Sequence, residues 1–120
     1  MKKNFCGITA PISTPFIDGE VAYEKLKQNA RRYAKTELSG FFVLGSNGEN
    51  PALDDQERLK VFETVMESRS PEQTVIAGTS FESTQLAIRF AKILLEMGAD
   101  YISVLRPSYY MLALTDVAQI

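Results

Sequence analysis

The sequence predicts an α/β domain in which parallel strands alternate with helices. Three observations carry this expectation. Short apolar runs begin near Phe5, Phe41, Thr74 and Tyr101; these starts are separated by roughly thirty residues, the length of a strand, a helix and two loops; and amphipathic segments fill the intervals. Such connections are right-handed and put the loop after every strand at one end of the sheet. Functional groups gather at that end, in open doubly wound sheets and in closed barrels alike.

Residues 5–9 read as a first strand, and residues 10–16 as a loop, because Pro11 and Pro15 each remove a ladder donor. Asp18-Gly19 turns the chain. Over residues 20–35, Ala22, Leu26, Ala30 and Ala34 recur at helical spacing with Tyr23 and Tyr33 flanking, while Lys25, Lys27, Gln28, Arg31 and Lys35 fall mostly on other faces. Residues 40–44 have the length and composition of a buried strand. Asp54 and Glu57 then form a capping-box pattern for a helix whose inner stripe is Leu59, Phe62, Val65 and Met66, and Ser70-Pro71 stops it. Residues 74–78 form a third strand, followed by the small polar Thr79 and Ser80. Ser83 caps a third helix with Leu86, Phe90, Ala91 and Leu94 inward, and Gly98 ends it. Residues 100–105 make a fourth strand leading into Arg106-Pro107-Ser108-Tyr109-Tyr110-Met111, and residues 115–120 open a fourth helix.

Composition narrows the function classes. The chain has 120 residues, 45% hydrophobic and 23% charged, enough for one modest core. A net charge of −2 gives no nucleic-acid footprint and no charge-driven membrane surface. With no histidine and Cys6 as the single cysteine, metal ligation is not expected, and Cys6 reads as a small buried hydrophobe in the first strand. One cysteine forms no internal disulfide, which fits a reducing cytoplasm. Gly7, Thr9, Pro11, Ser13 and Pro15 break up any apolar signal-peptide core after Met1-Lys2-Lys3. No segment approaches the ~20 apolar residues of a membrane span. The expectation is a soluble cytoplasmic protein.

The chain is organised around Gly45-Ser46-Asn47-Gly48-Glu49, directly after the second strand. Its glycines allow close backbone approach, and Ser46 and Asn47 offer a hydroxyl, an amide and main-chain N–H groups. That is a donor-rich pocket suited to a small anion; the same composition also makes an ordinary turn.

Four motifs in order resemble the dihydrodipicolinate synthase and N-acetylneuraminate lyase family of pyruvate-dependent class I aldolases. They are Thr9-Ala10 with Thr14-Pro15-Phe16; Gly45 to Glu49 with Leu53 and Glu57-Arg58; Ala77-Gly78 with Glu82-Ser83-Thr84; and Gly98-Ala99-Asp100 leading to Pro107-Ser108-Tyr109-Tyr110. The resemblance implies a (β/α)8 barrel, of which this chain is the N-terminal half: four parallel strands, three helices and the start of a fourth. It implies a homo-oligomer, a dimer or a tetramer of tight dimers, with no metal or organic cofactor. It also implies a lysine that forms a Schiff base with pyruvate or another 2-oxo acid.

Carried over, Ser46 is the relay hydroxyl and contacts substrate, and Asn47 binds the carboxylate where the family usually has threonine. Ser-Asn here looks like the 4-hydroxy-2-oxoglutarate aldolase branch. Ala10 and Gly78 line the pocket. Tyr109 reaches across the dimer interface to complete the partner's proton relay, Tyr110 is a dimer contact, and Glu49 closes the turn by accepting from backbone N–H groups.

A closed barrel of this type needs ~250 residues. The Schiff-base lysine of the family lies on the sixth strand, outside this sequence, and Lys25, Lys27, Lys35, Lys60 and Lys92 fall on helices. The 120 residues alone are expected to catalyse nothing, and their unpaired strand edges to promote self-association. Readings that stay open are a 2-keto-3-deoxy sugar acid or N-acetylneuraminate aldolase, a non-catalytic binding or assembly module, and an open flavodoxin-like sheet.

Overall fold

The computed structural model describes residues 5–118. In chain order its elements are β1 (Thr9–Pro11), β2 (Phe16–Ile17), β3 (Glu20–Val21), α1 (Tyr23–Ala34), β4 (Gly40–Val43), two single 3-10 turns (Ser46–Gly48 and Asn50–Ala52), α2 (Asp55–Ser68), β5 (Thr74–Gly78), α3 (Thr84–Glu96), β6 (Tyr101–Ser103) and α4 (Leu114–Val117). The main sheet runs β1-β4-β5-β6, parallel throughout. Each strand lies beside the next one in the chain, with no reversal of order. A flavodoxin-like sheet requires such a reversal, so this is a barrel segment.

Side chains alternate across the sheet with the period of the pleat. Phe41, Val43, Val75 and Ala77 join a buried core with Leu26 and Ala30 of α1, Phe62 and Val65 of α2, and Phe90 and Leu94 of α3. Each valine, leucine or phenylalanine among them contributes about 1.5–3 kcal/mol on burial. On the other face Thr9, Phe42, Ile76, Tyr101 and Ser103 line an open concavity of about 460 Å3. That face is the inside of the barrel segment.

The first strand is displaced from its expected position. It starts at Thr9, where residues 5–9 were expected, and continues through Pro11. The Ile12 N–H donates to the Phe42 carbonyl at 3.0 Å, so the preceding Pro11 nitrogen faces the outer edge, where a missing donor is tolerated. Cys6 consequently lies before the strand and is exposed rather than buried. Helix α1 begins at Tyr23, three residues later than expected. Glu20–Val21 instead pairs back on Phe16–Ile17, across Asp18 (φ 51°) and Gly19 (φ 81°), a two-residue turn whose twist matches a hairpin.

Locally encoded features appear where the sequence puts them. The third strand spans Thr74–Gly78. Asp54 accepts from the Glu57 N–H at 2.8 Å while Glu57 accepts from the Asp54 N–H at 3.0 Å, completing the capping box. Ser83 caps α3 through the Leu86 N–H at 3.3 Å, and Gly98 follows that helix at φ 107°.

Burial follows the spacing less closely. The inner stripe of α2 includes Val61 as well as Phe62 and Val65, with Leu59 and Met66 half-buried. In α3 Phe90 and Leu94 are buried, but Leu86, expected inward, is 48% exposed. Strand β6 stops at Ser103, and Val104 and Leu105 are exposed beyond it. Helix α4 starts at Leu114, with Asp116 accepting from the Ala113 N–H at 3.0 Å. Residues 119 and 120 of the expected helix, and Lys2 and Lys3, lie outside the described residues. Among the described residues no helix is long and apolar enough to cross a membrane.

Candidate functional site

Strand β4 leaves the sheet through Leu44, a buried residue held at φ 61°. That left-handed conformation costs a non-glycine residue about 1–2 kcal/mol. Strain of this kind at a strand end turns the chain sharply into Gly45, where a side chain would overlap the Phe42 ring. The Gly48 N–H then donates to the Gly45 carbonyl at 3.1 Å and the Glu49 N–H to the Ser46 carbonyl at 3.0 Å. The N–H groups of Ser46 and Asn47 open this turn, where a helical turn has no internal acceptor for its donors.

Glu49 plays a different part from the one expected. It sits at φ 55° between the two 3-10 turns, and its main chain does the joining: its carbonyl accepts from the Ala52 N–H at 2.8 Å. Its side chain is exposed and closes no turn among the described residues.

The loops after the strands are tied to one another. Thr14 donates through Oγ1 to the Gly48 carbonyl at 2.7 Å, joining the segment after β1 to the glycine turn. Gly78, at the end of β5, lies so close to the Leu44 carbonyl oxygen that a Cβ would overlap it. The Thr79 N–H donates to the Ser103 carbonyl at 2.9 Å. Glu82 accepts from the N–H groups of Ser108 at 3.1 Å and Tyr109 at 3.2 Å, and from the Ser108 hydroxyl at 3.1 Å. These donors hold the Glu82 carboxyl below the usual carboxylate range, the two backbone N–H groups being the main cause.

From α2, Arg58 donates through Nε at 3.3 Å and Nη2 at 3.2 Å to the Asn50 carbonyl. It pairs with Asp55 at 3.0 Å and stacks 4.7 Å from the centre of the Phe81 ring. One arginine therefore bridges the glycine turn and the loop after β5.

These contacts enclose a cavity of about 370 Å3 whose walls include Ser46, Asn50, Arg58, Glu82, Arg106 and Ser108. Asn50 is 2% exposed, and neither polar atom of its side chain has a partner among the described residues. The Asn50 amide is thus a buried, unsatisfied polar group in the cavity wall.

Of the six residues singled out from the sequence, Ser46 alone lines this cavity. Asn47, the next residue of the turn, is exposed outside it. Ala10 pairs in register with Phe41, whose side chain is in the core, so Ala10 faces the helices rather than the inside of the sheet. Gly78 serves a close approach between backbones. Tyr109 and Tyr110 follow β6, 80% and 72% exposed, with their rings edge to face at 5.0 Å.

Asn50, Arg58 and Glu82 are the residues that reading the sequence missed. Arg58 and Glu82 stood inside recognised motifs, but their partners are far away or in another loop. A buried Asn50 reads in sequence like any asparagine beside a proline.

The profile of the dihydrodipicolinate synthetase family matches residues 4–119. A 4-hydroxy-tetrahydrodipicolinate synthase of Methanococcus maripaludis is 36% identical over 103 residues, which are 86% of this chain and 36% of that protein. The enzyme of the same description from Staphylococcus carnosus is 30% identical over 91% of this chain and 37% of its own length.

Among solved structures, a dihydrodipicolinate synthase superposes with a TM-score of 0.89 at 30% identity, over 96% of this chain and 40% of that one. A Clostridium difficile protein solved in complex with mannosamine gives a TM-score of 0.91 at 26% identity, over 98% of this chain and 41% of that one. The chain thus spans little more than a third of the length of these curated relatives, and corresponds to the N-terminal part of the barrel. With the family's profile covering residues 4–119 and a dihydrodipicolinate synthase superposing over 96% of the chain, the chain belongs to the dihydrodipicolinate synthetase family.

Proposed function

We propose that this chain is the N-terminal part of a pyruvate-dependent Schiff-base aldolase or synthase, and that it supplies the carboxylate-binding turn and part of the proton relay. The observation that carries the reading is that Ser46, at the mouth of β4, and Ser108, beside Tyr109, line one cavity at the carboxyl ends of the strands. In this reading the main-chain N–H groups of Ser46 and Asn47, with the Ser46 hydroxyl, receive the carboxylate of a 2-oxo acid, the Asn47 side chain being exposed outside the cavity. The Ser46 hydroxyl passes protons to and from Tyr109 of a neighbouring copy in a dimer or tetramer.

The amine that attacks the ketone comes from a strand beyond this segment. Attack expels water and leaves an iminium that accepts the electron pair of the carbon–carbon bond being broken. The described lysines support that division, since Lys25, Lys27, Lys60 and Lys92 are on helices and Lys35 caps one. Alone, then, these residues turn nothing over. The single cysteine supports work in a reducing cytoplasm.

Asn47, where the family's usual residue is threonine, keeps cleavage of 4-hydroxy-2-oxoglutarate as an alternative, while the relatives from Methanococcus maripaludis and Staphylococcus carnosus support the synthase reaction. A neighbour solved with mannosamine keeps sugar-acid cleavage as a second candidate. Incubating the full-length protein with pyruvate and borohydride, then measuring its intact mass, tests the reading. One reduced pyruvate per chain is expected. An unmodified chain would overturn it in favour of a binding or assembly module.

A further inference from the structure

We infer that Glu82 is a positioning residue for Tyr109, holding the segment that presents the tyrosine through three donors bound to one carboxylate. The inference rests on the reading of Tyr109 as a relay group and extends it to a residue with no role in that reading.

The segment between β6 and α4 has little else to place it. Tyr109, Tyr110 and Met111 are 80%, 72% and 101% exposed, so no core contact fixes them. Among the described residues, Glu82 is the one side chain from another element that hydrogen-bonds to Ser108 or Tyr109. Its Oε1 accepts from the Ser108 N–H and hydroxyl, both at 3.1 Å, and its Oε2 from the N–H groups of Ser108 and Tyr109, both at 3.2 Å. These bonds span 26 and 27 positions of chain and join the loop after β5 to the loop after β6.

Glu82 is itself well anchored. It directly precedes Ser83, whose hydroxyl caps α3, so its backbone is fixed by the start of a helix packed on the sheet. The chemistry calls for a carboxylate, because three donors converge on two oxygens that carry only acceptor sites when ionised. The lowered affinity of Glu82 for a proton fits that state. A glutamine has one acceptor oxygen, and its NH2 group would face the Tyr109 N–H, donor against donor. Arg58 and Arg106 line the same cavity.

The test is a double-mutant cycle in the full-length protein, reading 2-oxo acid turnover with borohydride trapping as a check that the site still forms. Tyr109→Phe is expected to lower kcat by about 100-fold. Glu82→Gln is expected to lower kcat by about fivefold with KM for the 2-oxo acid little changed. The double variant is expected to be no slower than Tyr109→Phe alone, because a residue that acts through the tyrosine has nothing left to position.

Wild-type turnover in Glu82→Gln, with Tyr109→Phe slow, would overturn the inference. So would losses that multiply in the double variant. If Tyr109→Phe keeps full turnover, the relay reading falls, and hydrogen exchange decides the anchoring on its own. Faster exchange over residues 104–112 in Glu82→Gln upholds the clamp, and unchanged exchange removes it.

Discussion

Thr14 and Gly48 are joined by a buried hydrogen bond, hydroxyl to carbonyl at 2.7 Å, across 34 positions of chain. Thr14 is 5% exposed, and a Cβ added at Gly48 would sit 3.4 Å from its hydroxyl oxygen. Two motifs far apart in the sequence thus meet as one structural unit. Thr14→Val keeps the shape and leaves the Gly48 carbonyl without its partner. It should destabilise the protein by about 1–3 kcal/mol, read by urea unfolding, while Thr14→Ser stays near wild type.

Gly78→Ala tests the approach of two strand ends. The new methyl would overlap the Leu44 carbonyl oxygen, a backbone atom that can move only if the left-handed Leu44 moves with it. A loss of about 1–3 kcal/mol in thermal unfolding is expected, with turnover in the full-length protein falling as well, since Leu44 aims the Ser46 turn. An alanine tolerated at no cost would show that Gly78 is not needed for closeness.

Ser46→Ala removes the hydroxyl proposed for the relay and leaves the turn's main-chain bonds intact. Turnover should drop by about 100-fold at unchanged thermal stability. Unchanged turnover would take Ser46 out of the relay.

In mixed dimers that pair a Tyr109→Phe subunit with an intact one, the defect should appear in the intact subunit's site. Labelling the two subunits' sites with different active-site variants reports which one fails. A defect confined to the mutated subunit would refute the cross-interface placement of Tyr109.

Acid should release the loop after β6. A carboxylate whose folded pKa is depressed gives its contribution above its unfolded pKa and loses it as pH falls through the folded one. For Glu82 the folded value lies below the ordinary range, because of the Ser108 and Tyr109 N–H groups. Protection of residues 104–112 relative to the intrinsic exchange rate at each pH should therefore stay high at neutral pH and fall only below the usual carboxylate range. In Glu82→Gln that protection should be low and flat with pH.

What the sequence determined by itself is local. The strand Thr74–Gly78, the Asp54–Glu57 capping box and the Ser83 cap depend on residues within a few positions of one another, so spacing and side-chain chemistry suffice to place them. The alternation of strands and helices also sufficed for the parallel α/β class; the barrel was implied by the family resemblance, and the sheet order separated it from a flavodoxin-like sheet.

Tertiary structure decided the rest, because it depends on what lies opposite. Pairing with Gly40–Phe42 moved the first strand to Thr9–Pro11 and turned Ala10 toward the helices. Leu86 fits the helical stripe as well as Phe90 does, yet burial requires a facing element, and it remains exposed. Glu82, Arg58 and Asn50 join the site only when loops distant in sequence converge at the strand ends. A hydrogen bond between residues 26 positions apart leaves no trace in local spacing.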